Sequence, residues 1–447
     1  MNDYKIWISY HKDEQVQKYG LHDDDTHKLF ATHHDVEGKN INDLNSVYSE
    51  MVTMYYVWKN EQKSDYVGFN HYRRKFGVSR LPNNGECQIL QANHFGNATI
   101  YQQYARYHNV KDLDTMLELL DNRYGVGNAY RKHICESHVM LTKCCFLMKW
   151  TDFTKLCKFL FPLLDDFAAS CGCLTADDWR KKAEKDFDSE HATYQMRVVS
   201  FLAERLISAW ITTNLNAYID GRNVAVVHYN TPELTEAAIK SLMKHTFGCH
   251  VYVFDNSDKK PFTAKIPNVE VIDNTKGKII DFEAELEKYP DKWERDIKKS
   301  NYGSAKHSMS VDKLMDMIQS GFVLMDSDVL IKEDISIFWN KRVACLGAEE
   351  VKHNVPLLMP FLCYLNVPML RDKGIHYFNG EKMWALSNIE PNQHYDTGAW
   401  LLEEARRNEL PIDYINIWQY VIHFGHGSWR GNKVRTDKWL EENKDLY

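Results

Sequence analysis

The sequence predicts two mixed α/β domains in tandem, over residues 1–220 and 221–447, each built on a Rossmann-like sheet. Its 447 residues suit two domains. In both halves short apolar runs of strand length end in a polar cluster and alternate with segments of helical period, the pattern of open α/β sheets. Hydrophobic residues at 44% and charged residues at 26% are those of a soluble globular chain. A net charge of −7 argues against a nucleic-acid partner.

Tyr4 to Tyr10 alternates and reads as the first strand. Asn45 to Asn60 reads as one helix, with Met51, Met54, Tyr55 and Trp58 at helical spacing. Asp65 to Arg74 (Asp-Tyr-Val-Gly-Phe-Asn-His-Tyr-Arg-Arg) is a short strand that ends in His71, Arg73 and Arg74. Guanidinium groups match phosphate oxygens in a bidentate way, so two arginines at a strand end can neutralise a diphosphate without a metal. A pair of arginines in structural salt bridges is the competing reading. Cys144 to Leu164 reads as a buried helix with a charged face of Lys149, Asp152, Lys155 and Lys158; an amphipathic helix at a membrane surface has the same pattern. Arg197 to Leu215 reads as an amphipathic helix and Ala217 to Asn223 as a turn about Asp220-Gly221.

These pieces carry a resemblance. Asn40-Ile41, then Asn45 to Asn60 with its Trp58-Lys59-Asn60 end, then Asp65 to Phe76 with His71-Tyr72-Arg73-Arg74, resemble the family of domain of unknown function 4422. Tyr104, His108, Asp112, Arg197 and the run Phe201 to Leu206 fit it too, so the resemblance spans nearly all of residues 1–215. It implies a glycosyltransferase of GT-A-like fold acting on capsule, exopolysaccharide or O-antigen glycans, with galactofuranosyl transfer from UDP-galactofuranose as the family's activity. On it, His71, Arg73 and Arg74 are donor-binding candidates, no metal is expected in this domain, and Glu50 is a candidate catalytic carboxylate. Glu50 as a plain charge at a helix end is the alternative. Lys39 stands where the family has Asp, and Ser49 where it has Cys, which leaves the donor sugar open.

In the second half Val224 to Asn230 reads as a buried strand. Thr231-Pro232-Glu233 then opens a helix to His245, with Thr at the cap and Pro at the first position. Val251 to Asn256 is the next strand, ending at Asp255. This β-α-β order is a nucleotide-binding half-fold, without the Gly-rich turn of a dinucleotide site. Asn230, Thr231 and Asp255 would line a pocket for uracil and ribose, and Lys306, just ahead of the helix Met309 to Gln319, would reach the diphosphate. Gly321 to Leu330 (Gly-Phe-Val-Leu-Met-Asp-Ser-Asp-Val-Leu) is a buried strand running straight into Asp326 and Asp328. Two carboxylates there need a cation, and Mg²⁺ or Mn²⁺ prefers carboxylate and phosphate oxygen. An Asp-rich turn after a strand is the simpler reading.

The Asp-x-Asp arrangement, with Tyr377-Phe378-Asn379-Gly380 and His423-Phe-Gly-His-Gly-Ser-Trp429 in the expected order, resembles GT-A glycosyltransferases of families 2 and 8. The resemblance implies His423 as third metal ligand beside Asp326 and Asp328, with His426 as its rival. Imidazole suits Mn²⁺ better than Mg²⁺. Asp396, at the start of a helix through Glu403 and Arg406, could accept the acceptor's proton or simply cap that helix. Trp400, Trp418 and Trp429 are candidates for stacking on acceptor sugars, and Pro360 to Asn366 for the acceptor wall.

The expectation is a bifunctional glycosyltransferase adding sugars from UDP-sugars, UDP-galactofuranose in the first domain and a UDP-hexose such as UDP-galactose in the second, to a lipid-linked glycan. A single transferase in the second domain, with a glycan-binding or docking first domain, is the alternative; a metal-dependent nucleotide-sugar hydrolase is a third reading. Met1 to Ser9 leads directly into a strand and resembles no leader, ten cysteines form no regular frame, and no apolar run reaches the length of a membrane span. Reduced thiols, a cytoplasmic location and peripheral association with the inner face of the membrane are therefore expected.

Overall fold

The computed structural model describes residues 3–61, 63–288, 302–352, 354–384, 395–425 and 433–447. The chain divides into two compact units, Met1–Asp220 and Gly221–Tyr447.

The first unit is built on strands β1 (Tyr4–Tyr10), β2 (His27–Ala31), β3 (Tyr66–His71), β4 (Glu86–Ile89), β5 (Phe146–Lys149) and β6 (Asn216–Ile219), in the order β2-β1-β3-β5-β4-β6. β1 runs parallel to both β2 and β3, β5 runs antiparallel to β3 and β4, and β6 is parallel to β4. Every residue of β3 is buried, as its apolar run demands. Three sequence expectations change here. The helix expected over Asn45–Asn60 is two, α1 (Asn45–Tyr48) and α2 (Met51–Asn60), because Ser49 takes φ 50° and ends the first. The segment Cys144 to Leu164 begins as strand β5; helix α3 (Trp150–Cys171) follows, with Phe153, Leu156, Leu160, Leu163, Leu164 and Phe167 fully or almost fully buried, so its apolar face packs inside the unit. Ala217 to Asn223 includes strand β6 ahead of the turn at Gly221, φ 78°. Helix α4 (Val198–Asn214) is buried nearly all round. Among the described residues no single helix is long and apolar enough to cross a membrane, and all ten cysteines are free thiols.

The second unit is built on β7 (Asn223–His228), β8 (His250–Asp255), β9 (Val269–Asp273), β10 (Phe322–Met325), β12 (Cys345–Gly347), β13 (Leu362–Leu365) and β14 (Ile412–Tyr414). Their order is β9-β8-β7-β10-β13-β12-β14. β7 is parallel to β8 and β10, β13 is antiparallel to β10 and β12, and β14 is parallel to β12. Apart from the extra edge strand β9, this is the order and the direction pattern of the first sheet. The end of β3 in one unit therefore holds the same topological place as the end of β10 in the other: the strand that enters the sheet on the far side of the first strand, at the point where the strand order reverses. Ligands of open α/β sheets bind beyond the carboxyl ends of strands at such a point.

A separate antiparallel pair, β11 (Val329–Ile331) with β15 (Val421–His423), begins just beyond that end. Helices α5 (Pro232–His245), α6 (Tyr302–Met317) and α7 (Ala399–Arg407) complete the elements around it. Residues 362–365 form the buried strand β13 instead of an acceptor wall, since four consecutive apolar side chains are worth more inside the sheet than on a sugar; Phe361, just ahead of it, stacks on His423. Gly398 is the residue before α7, at φ 85°, and a Cβ there would lie 2.2 Å from the Leu358 carbonyl oxygen, so only glycine fits.

Candidate active site

In the first unit a cavity of about 630 Å³ opens beyond the ends of β1 and β3. The expected residues Glu50, His71, Arg73 and Arg74 all line it, and so do Lys143, Arg197, Glu204 and Arg205. Five cationic side chains thus face two carboxylates. Among the described residues Arg73, Arg74 and Arg197 have no ion-pair partner, although Arg80, Arg123, Arg131 and Arg180 of the same unit each have one. Arginines left unpaired around a concave polar site favour an anion of more than one charge.

The break at Ser49 brings Glu50 to this cavity, where its carboxylate stands 3.3 Å from His71 Nε2. Burial, then the charges of Arg74 and Arg73, push the His71 pKa down to about 3. The ring is therefore neutral at physiological pH, and it stands beside Glu50 without forming an ion pair with it. Arg205, with His108 at the same wall, is structural: its guanidinium donates to the Phe201 carbonyl at 2.8 Å and to Gln103 Oε1 at 2.7 Å. Sequence reasoning gave no role to Arg197, Glu204 or Arg205. The signal was there: Arg197, Ser200, Glu204 and Arg205 fall on one face at the start of a largely apolar helix, and buried polar groups need a reason.

The burial of these histidines sets a pH dependence. His71 at about 3, and His108 and His133 at about 4, are all lowered first by burial, whereas in the unfolded chain each titrates at about 6.5. Between those values the unfolded chain takes up protons that the folded unit refuses, so stability is full above the unfolded value and falls as pH drops through it. Thermal melts at pH 7.5, 6 and 5 are expected to show a falling Tm, with a shallower fall in His133→Gln; a Tm unchanged from 7.5 to 5 contradicts the burial of these rings.

In the second unit Asp326 and Asp328 follow β10, and the pairing of β11 with β15 sets His423 opposite Val329. The Phe424 amide donates to the Asp328 carbonyl at 2.9 Å and fixes that register. Ligand atoms of Asp326, Asp328 and His423 all lie within 4.8 Å of one another, with His423 Nε2 at 3.2 Å from Asp328 Oδ1. Ligands at about 2.1 Å from one metal stand about 3 to 4.2 Å apart, so the set fits a divalent ion with little adjustment. Burial opposes a charged imidazole at His423, but the hydrogen bond and charge of Asp328, with Asp326, outweigh it and raise its pKa. Phe361 stacks on His423 at 4.4 Å and Trp418, half exposed, lies 5.2 Å from Phe361, an aromatic stair beside the three ligands.

Other expected residues are placed differently. Asp255 is buried and both its oxygens accept loop amides, from Ser257 at 2.9 Å and Phe262 at 2.7 Å; it shapes the loop after β8 and is not offered to a nucleotide. Asn230, at φ 57°, accepts the Lys259 and Lys260 amides and so organises the same loop. Thr231 precedes α5 without capping it, and its buried hydroxyl has no partner among the described residues. Lys306 lies against the Phe282 ring; its neighbour His307, which sequence reasoning missed, stands 3.5 Å from Asp326. Asp396 neither caps α7 nor stands free as a base. One oxygen accepts from Ser304 at 2.7 Å and from the Thr397 amide at 2.8 Å, and the other pairs with Lys352. Burial would raise its pKa, but Lys352, Ser304 and Thr397 together lower it. Trp400 packs on Tyr395 and Arg407. His426 and Trp429 lie outside the described residues.

Among curated proteins none matches the chain significantly. Solved structures similar to it include the apo structure of the bifunctional glycosyltransferase WbbM (14% identity, TM-score 0.37, 93% of this chain and 87% of that one). The galactosyltransferase LgtC with donor and acceptor sugar analogues is another (10% identity, TM-score 0.29, 44% and 73%). A third is the glycosyltransferase GlyE of Streptococcus pneumoniae TIGR4 (12% identity, TM-score 0.27, 50% and 50%). Residues 5–215 match the family described as domain of unknown function (DUF4422). That match covers nearly the whole of Met1–Asp220, so the first unit of this chain is similar to the DUF4422 family over almost its full length.

Proposed function

We propose that the chain is a bifunctional glycosyltransferase of two GT-A-like units, each taking a UDP-sugar. The observation that carries this reading is the matched topology of the two sheets: unpaired arginines follow β3 where a carboxylate–imidazole cluster follows β10. These are two solutions to one problem, the negative charge of a departing nucleoside diphosphate.

In the first unit Arg73, Arg74 and Arg197 take the diphosphate oxygens directly, and no metal is required. Glu50, 3.3 Å from neutral His71, accepts the proton of the acceptor hydroxyl as that oxygen bonds to the anomeric carbon and UDP leaves. The family resemblance favours UDP-galactofuranose here. In the second unit Asp326, Asp328 and His423 hold Mn²⁺ or Mg²⁺, with the imidazole favouring Mn²⁺. A divalent ion bound there supplies Lewis-acid offset of the leaving diphosphate's charge. Trp418 on Phe361 offers an aromatic face to an acceptor sugar. Two fused transferases suit a glycan of alternating sugars, since the product of one site stays near the other at high effective concentration. A lipid-linked acceptor at the inner face of the cytoplasmic membrane fits this reading.

The test is UDP release from a panel of UDP-sugars, with acceptor, in Mn²⁺ and in EDTA. One donor is expected to lose its turnover in EDTA while another keeps it. If all turnover survives EDTA, the metal assignment fails; if none does, the first unit is not an independent transferase. Release of free sugar in the presence of acceptor would mark a hydrolase instead.

A further inference from the structure

We infer that Ser49 is a positioning residue of the first-unit site, holding Arg197 so that its guanidinium acts with Arg73 and Arg74 on the donor diphosphate. This rests on the reading of the first cavity as a nucleotide-sugar site.

Ser49 takes φ 50° and ψ −126°, between the last residue of α1 and the start of α2. Glycine adopts this region freely; a residue with a Cβ does so only under strain, and such strain gathers at functional sites. Nothing in the local sequence asks for a break: Asn45 to Asn60 contains neither Gly nor Pro, and its apolar residues keep helical period. What the strained residue gains is a contact across the unit. Arg197 Nε donates to Ser49 Oγ at 3.0 Å, 148 positions away in sequence. With Nε committed, the guanidinium makes no other hydrogen bond and no ion pair among the described residues, while Tyr194 and Phe201 flank it within 6 Å. Arg197 lines the same cavity as Arg73 and Arg74. A fixed Nε leaves both terminal nitrogens for an anion, at a smaller entropic cost than a free side chain would incur. The break also carries Glu50 to His71, so one kink serves both the cation and the carboxylate.

A merely structural serine and a positioning serine predict opposite results for glycine. Ser49→Gly relieves the backbone strain and removes the hydroxyl. The expected outcome, on the full chain in EDTA, is a Tm equal to or above wild type with UDP affinity lowered about tenfold, the loss of one hydrogen bond that fixes a charged group. Because Ser49 acts through Arg197, Ser49→Gly/Arg197→Ala is expected to bind UDP no worse than Arg197→Ala alone. Wild-type UDP affinity in Ser49→Gly overturns the inference, and so does additivity of the two substitutions. Arg73→Ala/Arg74→Ala separates this from the reading it rests on. If that variant loses UDP affinity while Ser49→Gly does not, the cavity is a nucleotide site and Ser49 is not part of its alignment. If it too binds UDP as wild type does, the nucleotide reading itself fails.

Discussion

Alanine at both Asp326 and Asp328 is expected to lower metal-dependent UDP release at least ~10³-fold, about 4 kcal/mol of lost transition-state stabilisation. The two carboxylates and His423 are the groups of the second unit that could hold a divalent ion together, and Asp328 also holds His423 at 3.2 Å. Removing both leaves one imidazole, which cannot retain Mn²⁺ at micromolar concentration. Mn²⁺ binding followed by electron paramagnetic resonance is expected to disappear in step with activity, while EDTA-resistant turnover in the first unit is unchanged. Folding is a weak confounder. Without a cation Asp328 pairs with His423 at 3.2 Å and Asp326 stands 3.5 Å from His307, imidazole contacts whose loss is offset by relief of the repulsion between the two acids, so Tm in EDTA is expected to change little. Full Mn²⁺ binding in the double variant would place the metal elsewhere and remove the mechanism of the second unit.

Which parts of this site were legible in sequence follows a physical line. A buried strand running into Asp326 and Asp328 is a local pattern, and local patterns carry over into structure. The end of β3, with His71, Arg73 and Arg74, is of the same kind. Residues that a tertiary contact brings in were visible only through resemblance or not at all. His423 reaches Asp328 because β15 pairs with β11, ninety-five positions away. Arg197 reaches Ser49 across the sheet's helices, and the kink that permits it is invisible in a run with unbroken helical period. The misplacements share a different cause. Asp255 and Asp396 stand next to strand and helix ends, where loop amides and a lysine compete with a ligand for each carboxylate, and there the protein's own donors take both oxygens. A composition that predicts a carboxylate near a site does not say which donors it meets first.

Arg73→Ala/Arg74→Ala is the counterpart in the first unit, with an expected loss of about 10²- to 10⁴-fold in EDTA-resistant transfer. The range follows from two charge-assisted contacts of about 1.5–3 kcal/mol each, if both tighten as UDP departs. Neither arginine has an ion-pair partner among the described residues, so neither alanine leaves a carboxylate stranded, and Tm is expected to stay near wild type. Lysine at both positions keeps the charge but not the planar fork, and is expected to recover only part of the rate. The second unit supplies the internal control, because Mn²⁺-dependent turnover is expected to need Asp326, Asp328 and His423, the groups that could hold an ion there, and not these arginines. Loss of acceptor affinity alone, with EDTA-resistant transfer intact, would make the first unit a glycan-binding module. Loss of transfer with acceptor affinity retained puts the arginines on the donor side of the reaction, and a fall in kcat at saturating donor assigns them to the charge that develops on the leaving diphosphate.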